Sequence, residues 1–387
     1  MYPTKSKFWK IMKDRTHRKA QPPKDQPPKQ HPSTRHKTHL SPKLEDFPDR
    51  VIVATNKNYA QVCTKLVESL NSNGIESYLI DTARPEQRHQ KYVVRCIGPN
   101  PKSTLAMFYE PGHPTGSTSS FISPDIRFPP DMPWSVYRGS SYYRITNLKM
   151  ALEGKKSIKK KGCQKGYQKK SNFKKGTNLN LSKIQKMNEY FDSGTPLVMC
   201  GTECLLDINP KSVFLGQPQK FLAYNPDKKP DSIGHIATSN QSDIHKGTNK
   251  IAQAFDKIDF IPAEIIGRKK VPHDQCMSFM DRMGMFVATM TDFNSGIGYT
   301  TLEAASRSCL VMSKTPIQSR KIKSKVLHVR NPDILISMTR HFVNNPDIYE
   351  KTRREQYDWF VNNFSYNAIA NRFRKLVTDA IDEGWSV

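Results

Sequence analysis

The sequence predicts an α/β protein of two successive doubly wound, Rossmann-like units with a cleft between them. Three observations carry this expectation. Two separate stretches alternate short β-branched runs with helically spaced apolar residues. The 387 residues are well over twice the ~150-residue prior for one domain. The excess positive charge lies outside the alternating stretches and leaves a near-neutral body. Of the net +26, residues 1–44 supply +10, with twelve Lys/Arg against Asp14 and Asp25, and residues 155–175 supply another +10 from ten lysines. That leaves +6 for everything else.

Taken in order, residues 1–48 read as a disordered basic tail rich in Pro, Lys, His and Gln, with little to bury. Phe8, Trp9, Ile11 and Met12 among its first lysines would suit a membrane or partner contact. Residues 51–55 form a β-branched run typical of a buried strand. Residues 59–72 have helical spacing, with Val62, Leu66, Val67 and Leu70 on one face, and Gly74 is a natural C-cap. Residues 75–81 read as a second strand, so the chain opens β–α–β and predicts a parallel sheet. Further strands are expected at 92–96, 105–109, 197–200 and 213–215. The first strand-to-helix turn is Asn56-Lys57-Asn58, which disfavours a Gly-x-Gly-x-x-Gly dinucleotide loop there. Residues 154–177 read as an exposed lysine-rich insert, too poor in apolar residues to offset the cost of ordering.

A second alternation begins near Ile233. Strands are expected at 235–237, from Phe260-Ile261, at 286–290 and at 309–312. Helices are expected at 249–258, 272–282 and 301–307. Three helices close the chain at 332–343, 346–362 and 366–382, two of them opened by Asn-Pro-Asp. The predicted organisation is therefore tail 1–48, N-terminal unit 49–232, C-terminal unit 233–365, and a last helix, 366–387, crossing back. Seven irregularly spaced cysteines argue for free thiols rather than a disulfide framework or a zinc site. No run of 18 apolar residues exists to span a bilayer, and no signal-peptide pattern opens the chain. The expected location is cytoplasmic, with peripheral contact at a membrane surface.

The segment 292–305 carries the most chemistry. It places Gly296 and Gly298 after a strand and enters a helix through Tyr299, Thr300, Thr301, Leu302 and Glu303. Helix-terminal N–H groups and the helix dipole favour a phosphate at such a place. Glu303 reads either as a first-turn structural acid or as an acceptor of hydrogen bonds from sugar hydroxyls. Residues 295–305 resemble the signature of the family 4 retaining glycosyltransferases, which have the GT-B fold. Glu303 matches the family's second glutamate, and Ser295 occupies the position of the first. Lys246-Gly247-Thr248, 57 positions before Glu303, is similar to the family's donor-diphosphate lysine loop, in which Ser239 also falls. Asn240 stands where the family usually has arginine. Asn363-Phe364-Ser365-Tyr366 is similar to the junction before the family's last helix.

The resemblance implies transfer of a sugar from a nucleotide-diphosphate donor, with retention and without a metal or other cofactor. It implies a donor site of Ser239, Lys246, Gly247, Thr248, Ser295, Gly296, Gly298, Tyr299, Thr300, Thr301 and Glu303. His113 is a positional candidate for a catalytic histidine. Partners would be the nucleotide sugar and a glycan, lipid or nucleic-acid acceptor. The two basic appendages support another reading, a nucleic-acid or anionic-surface binder on a degenerate glycosyltransferase scaffold. A glycoside hydrolase needs two carboxylates across a cleft, and no convincing pair is present.

Overall fold

The β–α–β opening folds as the sequence predicts. The structure is a computed structural model, and it describes residues 43–55, 58, 61–110, 127–129, 131–138, 197–201, 206, 212–237, 246–269, 271–291, 297–314 and 324–385. Strand β1 (Arg50–Thr55) leads through helix α1 (Val62–Asn71) to β2 (Glu76–Asp81). Helix α2 (Gln90–Ile97) precedes β3 (Thr104–Glu110), followed by β4 (Trp134–Arg138), β5 (Val198–Cys200) and β6 (Ser212–Phe214). These six strands form one sheet of order β2-β1-β3-β4-β5-β6, parallel at every pairing. Residues 51–55 of β1 are all buried. That is why the strand reads as a continuous apolar run: both faces of a parallel sheet are covered.

The C-terminal unit repeats the plan. β7 (Ile233–Ile236), α3 (Thr248–Phe255), β8 (Ala263–Ile266), α4 (His273–Arg282), β9 (Met285–Val287), α5 (Tyr299–Ser306), β10 (Leu310–Ser313) and β11 (Leu327–His328) follow one another. They give a second sheet of order β11-β10-β9-β7-β8, again parallel throughout. Each sheet has one apolar cluster on each face. In both sheets the order reverses at the first strand. Ligands of doubly wound sheets bind beyond the carboxyl ends of the strands at such a switch point.

Three helices close the chain: α6 (Pro332–Asn344), α7 (Pro346–Phe364) and α8 (Tyr366–Asp382). Asn331 caps α6 by accepting from the Ile334 amide at 2.9 Å. α7 locks onto β10 through Gln356, which accepts from the Val311 N–H and donates to its carbonyl, at 2.6 and 3.0 Å. Ser365 breaks the line between α7 and α8, and its hydroxyl accepts from the Ala368 amide. α8 then returns to the N-terminal unit. Its Ile369, Ala370, Phe373 and Val377 are buried in one cluster with Val62, Leu66 and Leu70 of α1. Ser69 Oγ donates to the Tyr366 carbonyl at 2.7 Å, and Tyr366 Oη to Glu68 Oε2 at 2.7 Å.

Several expectations need correction. Residues 92–96 are not a strand but lie within α2. Val93, Cys96 and Ile97 are the buried residues, at helical spacing, while Val94 is exposed. The β-branched Val93-Val94 pair imitated a strand. β4 was missed because its WSVYR run places Ser135 and Arg138 in buried positions. The strand expected from Phe260-Ile261 starts later, at Ala263, while Phe260 and Ile261 pack on the core from the preceding loop. The tail does not extend to residue 48. Leu44 is buried in the core and Phe47 meets Phe373 edge to face at 6.3 Å. The rest of the tail (1–42), the insert 154–177, Asn56 and Lys57 lie outside the described residues. Among the described residues, no helix is long and apolar enough to cross a membrane.

Docking of α8 is testable. Phe373 is fully buried against α1 and Phe47, so Phe373→Ala is expected to cost ~3–5 kcal/mol. Urea titration of the full chain would measure this, and a loss under ~1 kcal/mol would mean that α8 is peripheral.

Candidate functional site

The carboxyl ends of β7 and β9 flank the switch point of the second sheet, and three side chains from different elements meet beside it. Lys246 follows β7 and immediately precedes α3. Its position is set by Gly247, which has φ +70° and whose Cβ, if present, would lie 2.5 Å from the Met290 carbonyl oxygen. Only glycine takes up that conformation and that approach without strain. The Met290 N–H donates to the Lys246 carbonyl at 2.6 Å and ties this turn to the loop after β9. Lys246 Nζ, nearly inaccessible to solvent, donates to the Ile236 carbonyl at 2.9 Å and to Thr300 Oγ1 at 3.0 Å. An ammonium has three donors, and these two bonds use two of them. Burial lowers the Lys246 pKa to about 8, with the Glu303 carboxylate acting in the opposite direction.

His235 pins the start of α3 from below. Its Nδ1 lies 2.7 Å from the Val287 carbonyl and its Nε2 2.9 Å from Thr248 Oγ1. A carbonyl can only accept, so Nδ1 carries the proton and Nε2 accepts from the threonine hydroxyl. Burial, with Lys246 nearby, drives the His235 pKa down to about 3, so the ring is neutral. This histidine joins β7, β9 and α3 and is no general base.

Helix α5 begins at the same place. Gly298 is its N-cap, with φ −92°, and a Cβ built there meets nothing within 4 Å. Its carbonyl accepts from the Thr301 and Leu302 amides. The amides of Tyr299 and Thr300 lie in the first turn, where no intrahelical acceptor exists. Those donors and the helix dipole lie beside Lys246 Nζ, so cation, dipole and amides all favour an anion here.

Glu303 stands one turn further on. Its Oε1 lies 2.9 Å from His273 Nε2 and 3.7 Å from Lys65 Nζ. Among the described residues, no hydrogen bond reaches Oε2. The Glu303 and Lys65 side chains are each 13% exposed, against 66% for His273. Glu303 is therefore held by partners on two other elements, α1 and α4, rather than serving only to cap its own helix.

Of the residues singled out in the sequence, the structure brings Lys246, Gly247, Thr248, Gly298, Tyr299, Thr300, Thr301 and Glu303 to one end of the second sheet. Thr301 points inward and is buried. Ser239, Ser295, Gly296, His113 and Asn240 lie outside the described residues. Lys65 and His273 were missed. A lysine on the polar side of an amphipathic helix and a histidine after a proline carry no local signal of a partner 238 or 30 positions away. Among the described residues, no group of three or more His, Cys, Asp or Glu side chains could hold a metal ion.

No family model matches the chain, and no curated protein matches it. Solved structures do. An alpha-glucosyltransferase in complex with UDP and a 13-mer DNA containing an HMU base is 8% identical at a TM-score of 0.46, covering 86% of this chain and 100% of that one. HepE from Anabaena, in complex with UDP and glucose, is 7% identical at 0.47, covering 86% and 99%. The calicheamicin glycosyltransferase CalG4 is 10% identical at 0.37, covering 86% and 98%. The two Rossmann-like sheets rest on their own hydrogen-bonded register, independently of these likenesses.

The depressed lysine gives a pH prediction. An anion at Nζ favours the ammonium form, so binding a fully ionised anion such as sulfate above pH 8 should take up a proton. Affinity should fall as pH rises through about 8 and level off below it. Calorimetry at pH 8.5 in buffers of different ionisation enthalpy would measure the uptake, which Lys246→Met should abolish.

Proposed function

We propose that this chain is a GT-B-type glycosyltransferase that moves a sugar from a nucleotide-diphosphate donor to an acceptor, with retention and without a metal. One observation supports this above the others: a buried ammonium, Lys246 Nζ, is anchored between the end of β7 and Thr300 at the start of α5. A carboxylate, Glu303, stands one turn further along the same helix. The pair suits a diphosphate and the ribose attached to it.

In this reading the diphosphate lies against Lys246 and the first-turn amides of Tyr299 and Thr300. Glu303 Oε2 accepts from a ribose hydroxyl. Ser239, Ser295 and Gly296 belong to the same two loops by sequence. Transfer breaks the bond between the anomeric carbon and the β-phosphate oxygen, and the electron pair leaves on that oxygen. Lys246 and the α5 dipole stabilise the charge that develops there. The acceptor oxygen forms the new bond to the anomeric carbon and gives up its proton to a base or to the departing phosphate. The hydrogen-bonding groups of the site suit a hydroxylated sugar. A cytoplasmic site of action, with peripheral contact at an anionic surface, belongs to the same proposal.

The acceptor side follows from charge. The two basic segments, 1–44 and 155–175, favour a polyanionic acceptor or surface, recognised by counterion release. They equally favour the second reading, an anion-binding protein that has lost transfer. Hydrolysis of a nucleotide sugar without acceptor, set against salt-dependent retention on heparin, separates the two.

The donor assignment has a direct test. Glu303→Ala removes a charged hydrogen-bond acceptor, worth ~1.5–3 kcal/mol, so nucleoside-diphosphate affinity should drop by about 10- to 100-fold. A thermal-shift screen of uridine, guanosine and adenosine diphosphate sugars identifies the ligand, and titration measures the loss. Unchanged affinity in the variant would remove Glu303 from the donor site.

A further inference from the structure

We infer that Lys65, on α1 of the N-terminal unit, is a positioning residue for Glu303, so that donor binding by the C-terminal unit depends on a cation supplied across the cleft. The inference rests on the donor-site reading of Glu303 and goes beyond it.

The geometry is specific. Lys65 reaches from α1 across to the C-terminal unit, where its Nζ lies 3.7 Å from Glu303 Oε1 and 4.7 Å from the centre of the Tyr299 ring. It also donates to Gln219 Oε1 at 2.9 Å. Gln219 lies in the segment joining the two units, and its Nε2 donates to Ser306 Oγ at 3.2 Å. Tyr299, Glu303 and Ser306 are spaced i, i+4, i+7 on α5, so they form one stripe along the helix. Lys65 and Gln219 contact that stripe from outside the second sheet. The helix whose first turn faces Lys246 is therefore held along one side by the other half of the molecule.

The energetics favour a role in setting geometry over a merely adhesive one. Burial lowers the Lys65 pKa, and Glu303 acts to raise it. A mostly buried ammonium is tolerated only with a partner, so Lys65 and Glu303 constrain each other. The Tyr299 ring packs against the N-terminal core, and among the described residues its buried hydroxyl has no hydrogen-bond partner. The polar complement comes from Lys65 instead. Lys65 and His273 both address Oε1. They orient the carboxylate and leave Oε2 for a ligand hydroxyl.

The test is a double-mutant cycle on nucleotide affinity in the full chain. The probes are uridine, guanosine and adenosine diphosphates, with thermal unfolding as the folding control. Lys65→Met keeps the stem and removes the charge, and affinity is expected to fall about five- to thirtyfold, within the usual range for coupled sites. Lys65→Arg keeps a cation and should restore affinity to within about threefold. In a Glu303→Gln background, Lys65→Met should cause no further loss, because Lys65 acts through the carboxylate. Equal affinity of wild type and Lys65→Met, or full additivity with Glu303→Gln, would overturn the inference and leave the donor site standing. Failure of the wild type to bind any of the three diphosphates would overturn the donor reading, and this inference with it.

Discussion

Parallel pairing is the constraint on which the rest of this molecule depends. When every strand runs the same way, all carboxyl ends lie along one edge, and every strand-to-helix loop collects there. The chain applies this twice. In the second sheet it brings Lys246 after β7, the Met290 loop after β9 and the start of α5 into mutual contact. The reversal of strand order at β7 opens room between the loops. Gly247 is the local cost of this convergence: its positive φ lets the Lys246 turn pass against the Met290 carbonyl.

The second condition is that the two sheets stay together. Their bond is mostly apolar and is made by the end of the chain. α7 belongs to the C-terminal core through Phe360 and Phe364, while α8 belongs to the N-terminal core through Ile369, Phe373 and Val377. Ser365, between them, also bridges Gln219 in the segment that joins the units. Gln219 thus lies at a crossroads, touching the α7–α8 junction through its backbone and Lys65 and Ser306 through its side chain. One residue therefore links the α7–α8 junction to α5.

The sequence disclosed what depends on local pattern and concealed what depends on distance. The β-branched run of β1, the Asn-Pro starts of α6 and α7 and the glycine before α3 are each legible because the reason for them lies within a few residues. β4 was not legible, because its burial is enforced by neighbours β3 and β5, which override the polar residues Ser135 and Arg138. α2 was misread because two adjacent valines satisfy a strand and a helix equally over so short a window. In the site, Lys246 and Glu303 could be singled out because the short segments that carry them resemble a known glycosyltransferase signature. Lys65 could not: what distinguishes it is a carboxylate on another sheet, and only the folded chain brings the two together.

Two buried lysines address α5, and they differ in what answers their charge. Lys65 has a carboxylate within ion-pairing distance and a carboxamide to accept from it, so its charge is already answered by the protein. Lys246 is the more buried of the two, and it has only a carbonyl and a hydroxyl. Neutral acceptors leave a shortfall in offsetting the desolvation of an ammonium that a carboxylate makes up; burial lowers the pKa of both lysines, that of Lys246 to about 8, and Glu303 acts against the lowering at each. A phosphate beside Nζ would remove that shortfall, and the first-turn amides of α5 would share the load. The same phosphate beside Lys65 would compete with Glu303 and gain little. Two cations of one chemical type that address one helix are therefore answered differently: Lys65 by a carboxylate at 3.7 Å, and Lys246, among the described residues, by a carbonyl and a hydroxyl.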